Sequence, residues 1–167
     1  MGEAGALDAG FGKPSRTSIF DYVGVPAHQG WLNGGKYVGG GLTAEQAALR
    51  AFYQQLLKFS SEASALKGEF VSIHQLNLQS PGYSEQQLSF ARFDDKQQLL
   101  VVSNFTEQPV KFTLQLPAEL VQNWQLAATP VVFTDLFSQT QHSTNPANGH
   151  SLQVELPALG SLVLQRQ

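Results

Sequence analysis

Residues 30–37, GWLNGGKY, carry the spacing G-x-x-x-x-G-K of a phosphate-binding loop. Such a loop needs a buried strand before it, a helix that starts at the lysine, and a Ser or Thr after the lysine to hold Mg²⁺. Here Pro26 interrupts the preceding residues, Tyr37 follows Lys36, and residues 39–41 are all glycine, the poorest ordinary helix former. The segment therefore does not predict a nucleotide site and needs another explanation.

The other residues with catalytic or ligating chemistry do not form a recognisable site. Asp94 and Asp95 are the only adjacent acidic pair among the 13 acidic residues, and they are typical of a tight turn, where Asp is favoured for its backbone hydrogen bonds. The four histidines lack ligand spacing, the chain has no cysteine, and no nucleophile elbow accompanies any serine. His74 is interpreted as a strand histidine. We assign no catalytic, metal-binding or cofactor-binding residue.

Composition excludes several classes of protein. Of the 167 residues, 42% are hydrophobic and 14% are charged, which is typical of a globular chain. The net charge is −3 and the 10 basic residues are scattered, so nucleic acid is not an expected partner. No apolar run is long enough to span a membrane, and the first residues lack the basic end and apolar block of a secretory signal. These features leave the compartment open.

The sequence predicts three regions. Residues 1–42 are irregular, rich in glycine and dotted with aromatic side chains. Residues 43–60 predict a helix, because Thr43 and Gln46 match a capping box and the apolar residues recur at spacings of three and four. Those apolar residues are Leu49, Phe52, Tyr53, Leu56 and Phe59. From about residue 69 the apolar period becomes two, which indicates strands.

The strands are predicted at 69–78, 88–93, 98–104, 110–116, 130–136, 152–156 and 161–164, with a polar loop over 138–150. Short strands at this spacing favour an antiparallel β-sandwich with Greek-key connections. Its expected inward-facing residues include Phe90, Val101, Phe112, Leu114, Val154 and Leu162. The predicted fold is therefore mainly β, preceded by the glycine-rich segment and one α-helix.

Two motifs resemble the end of the catalytic barrel in the α-amylase family of glycoside hydrolases, family 13. They are RTSIFDY at 16–22 and WLNGGKY at 31–37, followed by the helix from Thr43. Residues 99–105 and 156–164 are similar to strands of the C-terminal β-sandwich of that family, called domain C. The resemblance implies that residues 1–66 are the end of a (β/α)₈ barrel and that residues 67–167 are the sandwich. It places the loop 30–37 on the active-site side of such a barrel.

The resemblance also implies what the chain lacks. Retaining hydrolysis needs two carboxylates about 5 Å apart. The family carries them in motifs upstream of this segment, and D-x-x-x-x-N-H, G-x-R-x-D and N-H-D do not occur here. We therefore expect a non-catalytic, mainly structural part of an enzyme that acts on α-glucosidic linkages. The chain alone is expected to be inactive, and its partners are the missing barrel and, through the parent enzyme, α-glucan or maltooligosaccharide.

Three aromatic residues are candidates for contact with carbohydrate: Trp31, Tyr37 and Trp124. For Trp31 and Tyr37 the alternative is that they anchor the loop, since large aromatic side chains pack more often than they bind ligands. For the whole chain the alternative is a carbohydrate-binding or interaction module that acts alone. The apolar face of helix 43–60 would be covered by residues 1–42 or by a second copy of the chain in a homo-oligomer.

Overall fold

The computed structural model describes residues 26–167, which belong to two compact units that divide after Ser61. The predictions that fall on residues 1–25, including the motif RTSIFDY and cover of the helix by the first aromatic residues, lie outside the described residues. The described part of the first unit holds helix α1 (Pro26–Leu32) and all but the last residue of helix α2 (Ala44–Glu62). The assignment of residues 1–66 to the end of a barrel stays a prediction.

Helix α1 corrects the expectation that the glycine-rich segment is irregular throughout. Pro26 occupies its first position, where a missing N–H costs nothing. After the helix, the chain returns so closely that Gly41 N donates to Gly30 O at 3.0 Å. A Cβ atom on Gly30 would lie 2.7 Å from Gly41 O, so the two backbones can approach only as glycines. This packing of backbone on backbone is the structural explanation of the glycine spacing.

Helix α2 has the predicted capping box. Thr43 N donates to Gln46 Oε1 at 3.0 Å, and Gln46 N donates to Thr43 Oγ1 at 3.2 Å. The two side chains satisfy backbone donors that the first turn leaves without partners. The helix is amphipathic, and Phe52 and Tyr53 on its surface are 46% and 53% exposed.

The second unit is an antiparallel β-structure of two sheets. Its strands are β1 (Glu69–Ser72), β2 (Gln87–Phe93), β3 (Gln98–Asn104), β4 (Val110–Leu114), β5 (Val132–Asp135), β6 (Gln141–Ser143), β7 (Leu152–Leu156) and β8 (Ser161–Arg166). Six strands pair in the order β1-β2-β3-β8-β5-β6, and β4 pairs with β7 in a second sheet. The closing strand β8 thus inserts between β3 and β5. Helices α3 (His74–Asn77) and α4 (Ala118–Asn123) and 3₁₀ turns at Ser64–Lys67 and Pro146–Asn148 connect the strands.

One predicted strand and one predicted loop are wrong in extent. The predicted strand 69–78 ends at Ser72, and α3 follows, so His74 is a helix residue. The helix is fixed by Asn77, whose Nδ2 donates to Ile73 O at 2.8 Å and whose Oδ1 accepts from Gln115 N at 2.7 Å. The predicted polar loop 138–150 contains the short strand β6 and a 3₁₀ turn.

The core lies between the two sheets and is apolar. Phe112, Leu114 and Val154 are buried in it as predicted, and Leu162 packs against it. Phe90 and Val101 are exceptions: they pair with each other one residue out of phase with the core residues Ala91 and Leu100, so they point to the outer face of the six-stranded sheet. The expectation that they face inward is wrong, because β2 and β3 carry apolar residues on both faces.

Candidate functional site

Trp31, the first candidate carbohydrate contact, is engaged within its own unit. The guanidinium carbon of Arg50 in α2 lies 3.9 Å from the centroid of the Trp31 ring, within the range of a cation–π interaction. A Cβ on Gly39 would lie 3.2 Å from ring atom Cε3, so the return of the glycine segment also passes close to this side chain. The geometry therefore favours the anchoring interpretation of Trp31.

Tyr37, the second candidate, is on the surface. Its side chain is 62% exposed, and its backbone is in the left-handed region with φ of 57°. A tyrosine in that conformation is uncommon and marks a constrained turn. Contact between Tyr37 and carbohydrate stays a prediction.

Trp124, the third candidate, lies inside the sandwich. It is 2% exposed, with ring-centroid distances of 5.6 Å to Phe93 and 6.1 Å to Phe133. Stacking on a sugar needs an accessible ring face, which Trp124 does not offer. Its assignment as a sugar platform is therefore corrected to a core role.

The acidic pair forms the predicted turn. Asp94 Oδ1 accepts from the backbone N–H groups of Lys96 at 3.0 Å and Gln97 at 2.7 Å, which closes the β2–β3 hairpin. A side-chain hydrogen bond from Ser64, with smaller contributions from those backbone groups and from the Lys96 charge, lowers the pKa of Asp94 below its ordinary value. The pair is thus held as a turn.

Two of the histidines in the described chain, His74 and His150, are each held by one side-chain partner. His74 Nδ1 lies 2.9 Å from Tyr83 Oη, which in turn lies 2.8 Å from Ser89 Oγ, and burial raises the pKa of Tyr83. His150 Nδ1 lies 3.0 Å from Thr144 Oγ1. Within residues 26–167 no three side chains of His, Cys, Asp or Glu come together in a way that would hold a metal ion. In the same range no helix is long and apolar enough to cross a membrane.

Asn104 begins the sequence Asn-Phe-Thr, the pattern of an N-glycosylation acceptor. In this fold the residue is 2% exposed, and its Nδ2 donates to Gln108 O at 2.8 Å and to Pro157 O at 2.9 Å. The amide nitrogen that a glycan would occupy is therefore used to hold two loops. Sequence reasoning missed this role, because nothing in the pattern distinguishes a structural Asn from an acceptor.

The outer face of the six-stranded sheet carries an apolar patch. Phe90, Val101 and Val163 occupy one row across β2, β3 and β8. Phe70 in β1 lies with its ring centroid 5.4 Å from that of Phe90 and is 56% exposed, and Leu88 is exposed beside them. We call these five residues, Phe70, Leu88, Phe90, Val101 and Val163, the outer patch. An accessible apolar cluster of this kind marks an interaction surface more often than an accident of composition.

A two-sheet antiparallel domain with one polar and one apolar outer face is typical of a domain that packs on another. The model of the α-amylase C-terminal all-β domain matches residues 82–167, which is more than half of the chain. The chain therefore belongs to the family of α-amylase C-terminal all-β domains. This membership confirms both the family resemblance and the predicted fold, and the matched domain is the non-catalytic one of an α-amylase-family glycosidase.

Solved structures agree with this fold. The chain is similar to AmyP in complex with maltose (21% identity, 78% of this chain and 22% of that chain, TM-score 0.54). It is similar to a variant of AmyP in complex with maltotriose (20% identity, 74% and 22%, TM-score 0.55). It also resembles an α-amylase from Anoxybacillus (12% identity, 79% and 25%, TM-score 0.52). The chain thus spans about a quarter of the length of these proteins. No curated protein matches the sequence.

Proposed function

We propose that this chain is the C-terminal part of a glycosidase that acts on α-glucosidic linkages, and that its sandwich stabilises a catalytic (β/α)₈ barrel. The substrate class is taken from the similar AmyP structures, which hold maltose and maltotriose. The carboxylate pair that retaining hydrolysis requires has no counterpart in the sequence motifs of this chain. The chain therefore supports chemistry that takes place on another part of the protein.

The observation that carries this proposal is the outer patch. Its central row, Phe90, Val101 and Val163, crosses three neighbouring strands, so it offers a continuous apolar surface. Phe70 and Leu88 extend this surface and remain accessible to solvent. The occupant that fits is the barrel, since this chain covers 22% of the length of the similar proteins and most of that length lies outside the matched part.

Helix α2 offers a second apolar surface. Phe52 and Tyr53 stand with ring centroids 5.9 Å apart on a helix without a buried residue. In the proposed enzyme this face packs on the barrel strands. A homo-oligomer that buries the same face in a two-fold contact is the competing proposal, and it predicts a dimer of the isolated chain.

The rival function is a carbohydrate-binding module that acts alone. Such a module needs exposed aromatic rings on its sandwich. The tryptophan and the tyrosine that the sequence offers after residue 60, Trp124 and Tyr83, are both buried, which leaves Phe70 and Phe105 as the exposed rings. Their burial favours the supporting role over the independent module.

The first test of the proposed function is the nucleotide sequence of the gene. Its coding sequence upstream of Met1 is expected to encode, in frame, a barrel with the family's carboxylate motifs. The purified 167-residue chain is expected to show no turnover of starch, maltooligosaccharides or aryl α-glucosides. When the tagged chain is co-expressed with that barrel, the barrel is expected to co-purify and to resist heat better than the barrel alone.

Variants locate the contact. Phe70→Glu places a charge on the outer patch and is expected to weaken co-purification, whereas Gln153→Glu adds the same charge on the exposed face of β7 and is expected to leave it unchanged. Equal co-purification of both variants would contradict the proposed contact. Turnover by the chain that disappears when one of its own carboxylates is replaced would contradict the non-catalytic role.

A further inference from the structure

A cleft of about 680 Å³ opens at one end of the sandwich, where β1 begins, β2 turns into β3, and α4 ends. Its walls include Glu69, Asp94, Asp95, Gln98, Trp124 and Arg166, which come from five separate segments. All of these residues belong to the second unit. A cleft of this volume falls within the range of about 300–1,000 Å³ that small-molecule sites occupy.

Arg166 is the fixed cation of the cleft. Its Nη1 donates to Gln98 Oε1 at 2.8 Å and to Trp124 O at 2.7 Å. Both hydrogen bonds that the Arg166 side chain makes within residues 26–167 therefore come from one nitrogen of the guanidinium. The ion pair found in that range joins Lys111 to Glu155 elsewhere, and no carboxylate of the cleft lies within ion-pair distance of Arg166. The guanidinium is therefore positioned by the fold, with donor capacity to spare.

The cleft also contains negative charge, on carboxylates that do not pair with Arg166. Glu69 and Asp95 are exposed, and Asp94 is held by the hairpin turn. Trp124 also lines the cleft, and its Nε1 is buried and has no acceptor among the described residues. The cleft thus combines carboxylate acceptors with guanidinium donors of Arg166 that the described residues do not use.

This combination restricts the ligand. Three carboxylates against one guanidinium disfavour an anion. A divalent metal is not favoured either, because the described residues contain no cluster of three ligating side chains. Hydroxyl groups each donate and accept, so a neutral molecule with several hydroxyls satisfies carboxylates and guanidinium at once.

We infer that the cleft binds a neutral polyhydroxylated ligand, a short saccharide segment such as one end of an α-glucan. The inference deepens the proposed function and takes the linkage type from it. Aromatic stacking contributes little, because Phe93 and Trp124 are buried in the wall. Affinity is therefore expected in the millimolar range, as for a site that relies on polar contacts with hydroxyls.

The experiment is an NMR titration of the ¹⁵N-labelled full chain with maltotriose. The chain has two tryptophans, so the indole signal of Trp124 reports on the cleft and that of Trp31 serves as an internal control. Saturable shifts are expected for Trp124 and for the backbone amides of residues 94–98, without a matching shift for Trp31. Arg166→Lys, which removes the planar fork, is expected to weaken binding about tenfold, the loss typical of one charged hydrogen bond.

Asp95→Asn is the second cleft variant, because this exposed residue can be changed without disturbing the core, and it is expected to weaken binding as well. Glu155→Gln on β7 lies outside the cleft and is expected to leave binding unchanged. Absence of saturable cleft shifts, equal shifts of both indoles, or saturation by spermidine but not by maltotriose would overturn the inference. Since none of these readouts involves the barrel, failure here is distinguishable from failure of co-purification.

Discussion

Asn104 makes the most demanding test of how this sandwich is held together. Besides the bonds from its Nδ2 to Gln108 O and Pro157 O, its Oδ1 accepts from Gln87 Nε2 at 3.0 Å and from Thr106 N and Oγ1 at 3.1 and 2.8 Å. One side chain thus joins the start of β2, the turn after β3 and the loop before β8. Removing it in Asn104→Ala affects three segments that are distant in sequence.

The magnitude follows from which partners can be rehydrated. Gln108 and Pro157 lie at the surface, so water can replace the lost donor at their carbonyl groups. Gln87 is 2% exposed, so its amide is left buried without this acceptor. A buried unsatisfied group costs about 1–3 kcal/mol, and each replaced hydrogen bond contributes about 0.5–1.5 kcal/mol. We therefore expect Asn104→Ala to lower the free energy of unfolding by about 3 kcal/mol.

Asn104→Asp probes the same site electrostatically. Its second carboxylate oxygen would face the carbonyl groups of Gln108 and Pro157 without a proton to donate. The fold then favours the protonated form, so the pKa of the introduced carboxyl is raised above its unfolded value. The variant is consequently least destabilised below that unfolded value, and it loses stability as the pH rises through the folded pKa.

The assay is urea unfolding followed by tryptophan fluorescence, since Trp124 is buried in the unit under test. Asn148→Ala and Asn148→Asp are the matched controls, because Asn148 is exposed in a 3₁₀ turn. Both controls are expected to change the free energy of unfolding by less than about 0.5 kcal/mol. An Asn104→Ala variant as stable as its control would refute the reasoning, and so would an Asn104→Asp variant with no dependence on pH.

Three further predictions use the same chain. Phe112→Ala leaves a cavity in the core and is expected to lower the free energy of unfolding by about 3–5 kcal/mol. Lys111→Ala removes an exposed ion pair at 3.4 Å and is expected to lower it by less than about 0.5 kcal/mol. Equal urea midpoints for the two variants would contradict the strand orientation. If α2 forms a two-fold contact, sedimentation will show a dimer that Phe52→Glu dissociates without loss of β-type circular dichroism; a wild-type monomer excludes it. The pKa of Asp94 is lowered, first by the hydrogen bond from Ser64, so the ionised side chain contributes stability above the ordinary value of 3.8. That contribution is lost as the pH falls through the pKa of the folded state. Asp94→Asn is expected to abolish this acid dependence in urea titrations across acid pH.

Alternation predicted the fold where only one face of a strand is apolar. In β4, Lys111 and Thr113 alternate with Phe112 and Leu114, and the structure buries the latter pair. In β2 and β3 both faces are apolar, so periodicity indicated strands but not their orientation, and Phe90 was assigned to the wrong face.

The remaining errors come from contacts that are distant in sequence. Helix α3 interrupts a predicted strand because Asn77 bonds to Gln115, 38 residues away. Trp124 is buried because Phe93 and Phe133 surround it, and the cleft beside it joins Glu69 to Arg166. No local pattern contains this information, whereas the capping box of α2, a local motif, was predicted correctly.

The two outer faces of this sandwich differ in polarity, and the difference bears on function. The outer face of the β4–β7 pair carries Lys111, Thr113, Gln153 and Glu155, the polar set expected of a surface in water. The outer face of the larger sheet carries Phe90, Val101 and Val163 in a row across β2, β3 and β8. These three side chains are only half-buried, and each Å² that they leave exposed to water forgoes about 25 cal/mol of burial. A polar outer face on one sheet and an apolar outer face on the other are best explained by another domain that packs against the outer patch. Co-purification of the Phe70→Glu variant tests whether that domain is the barrel.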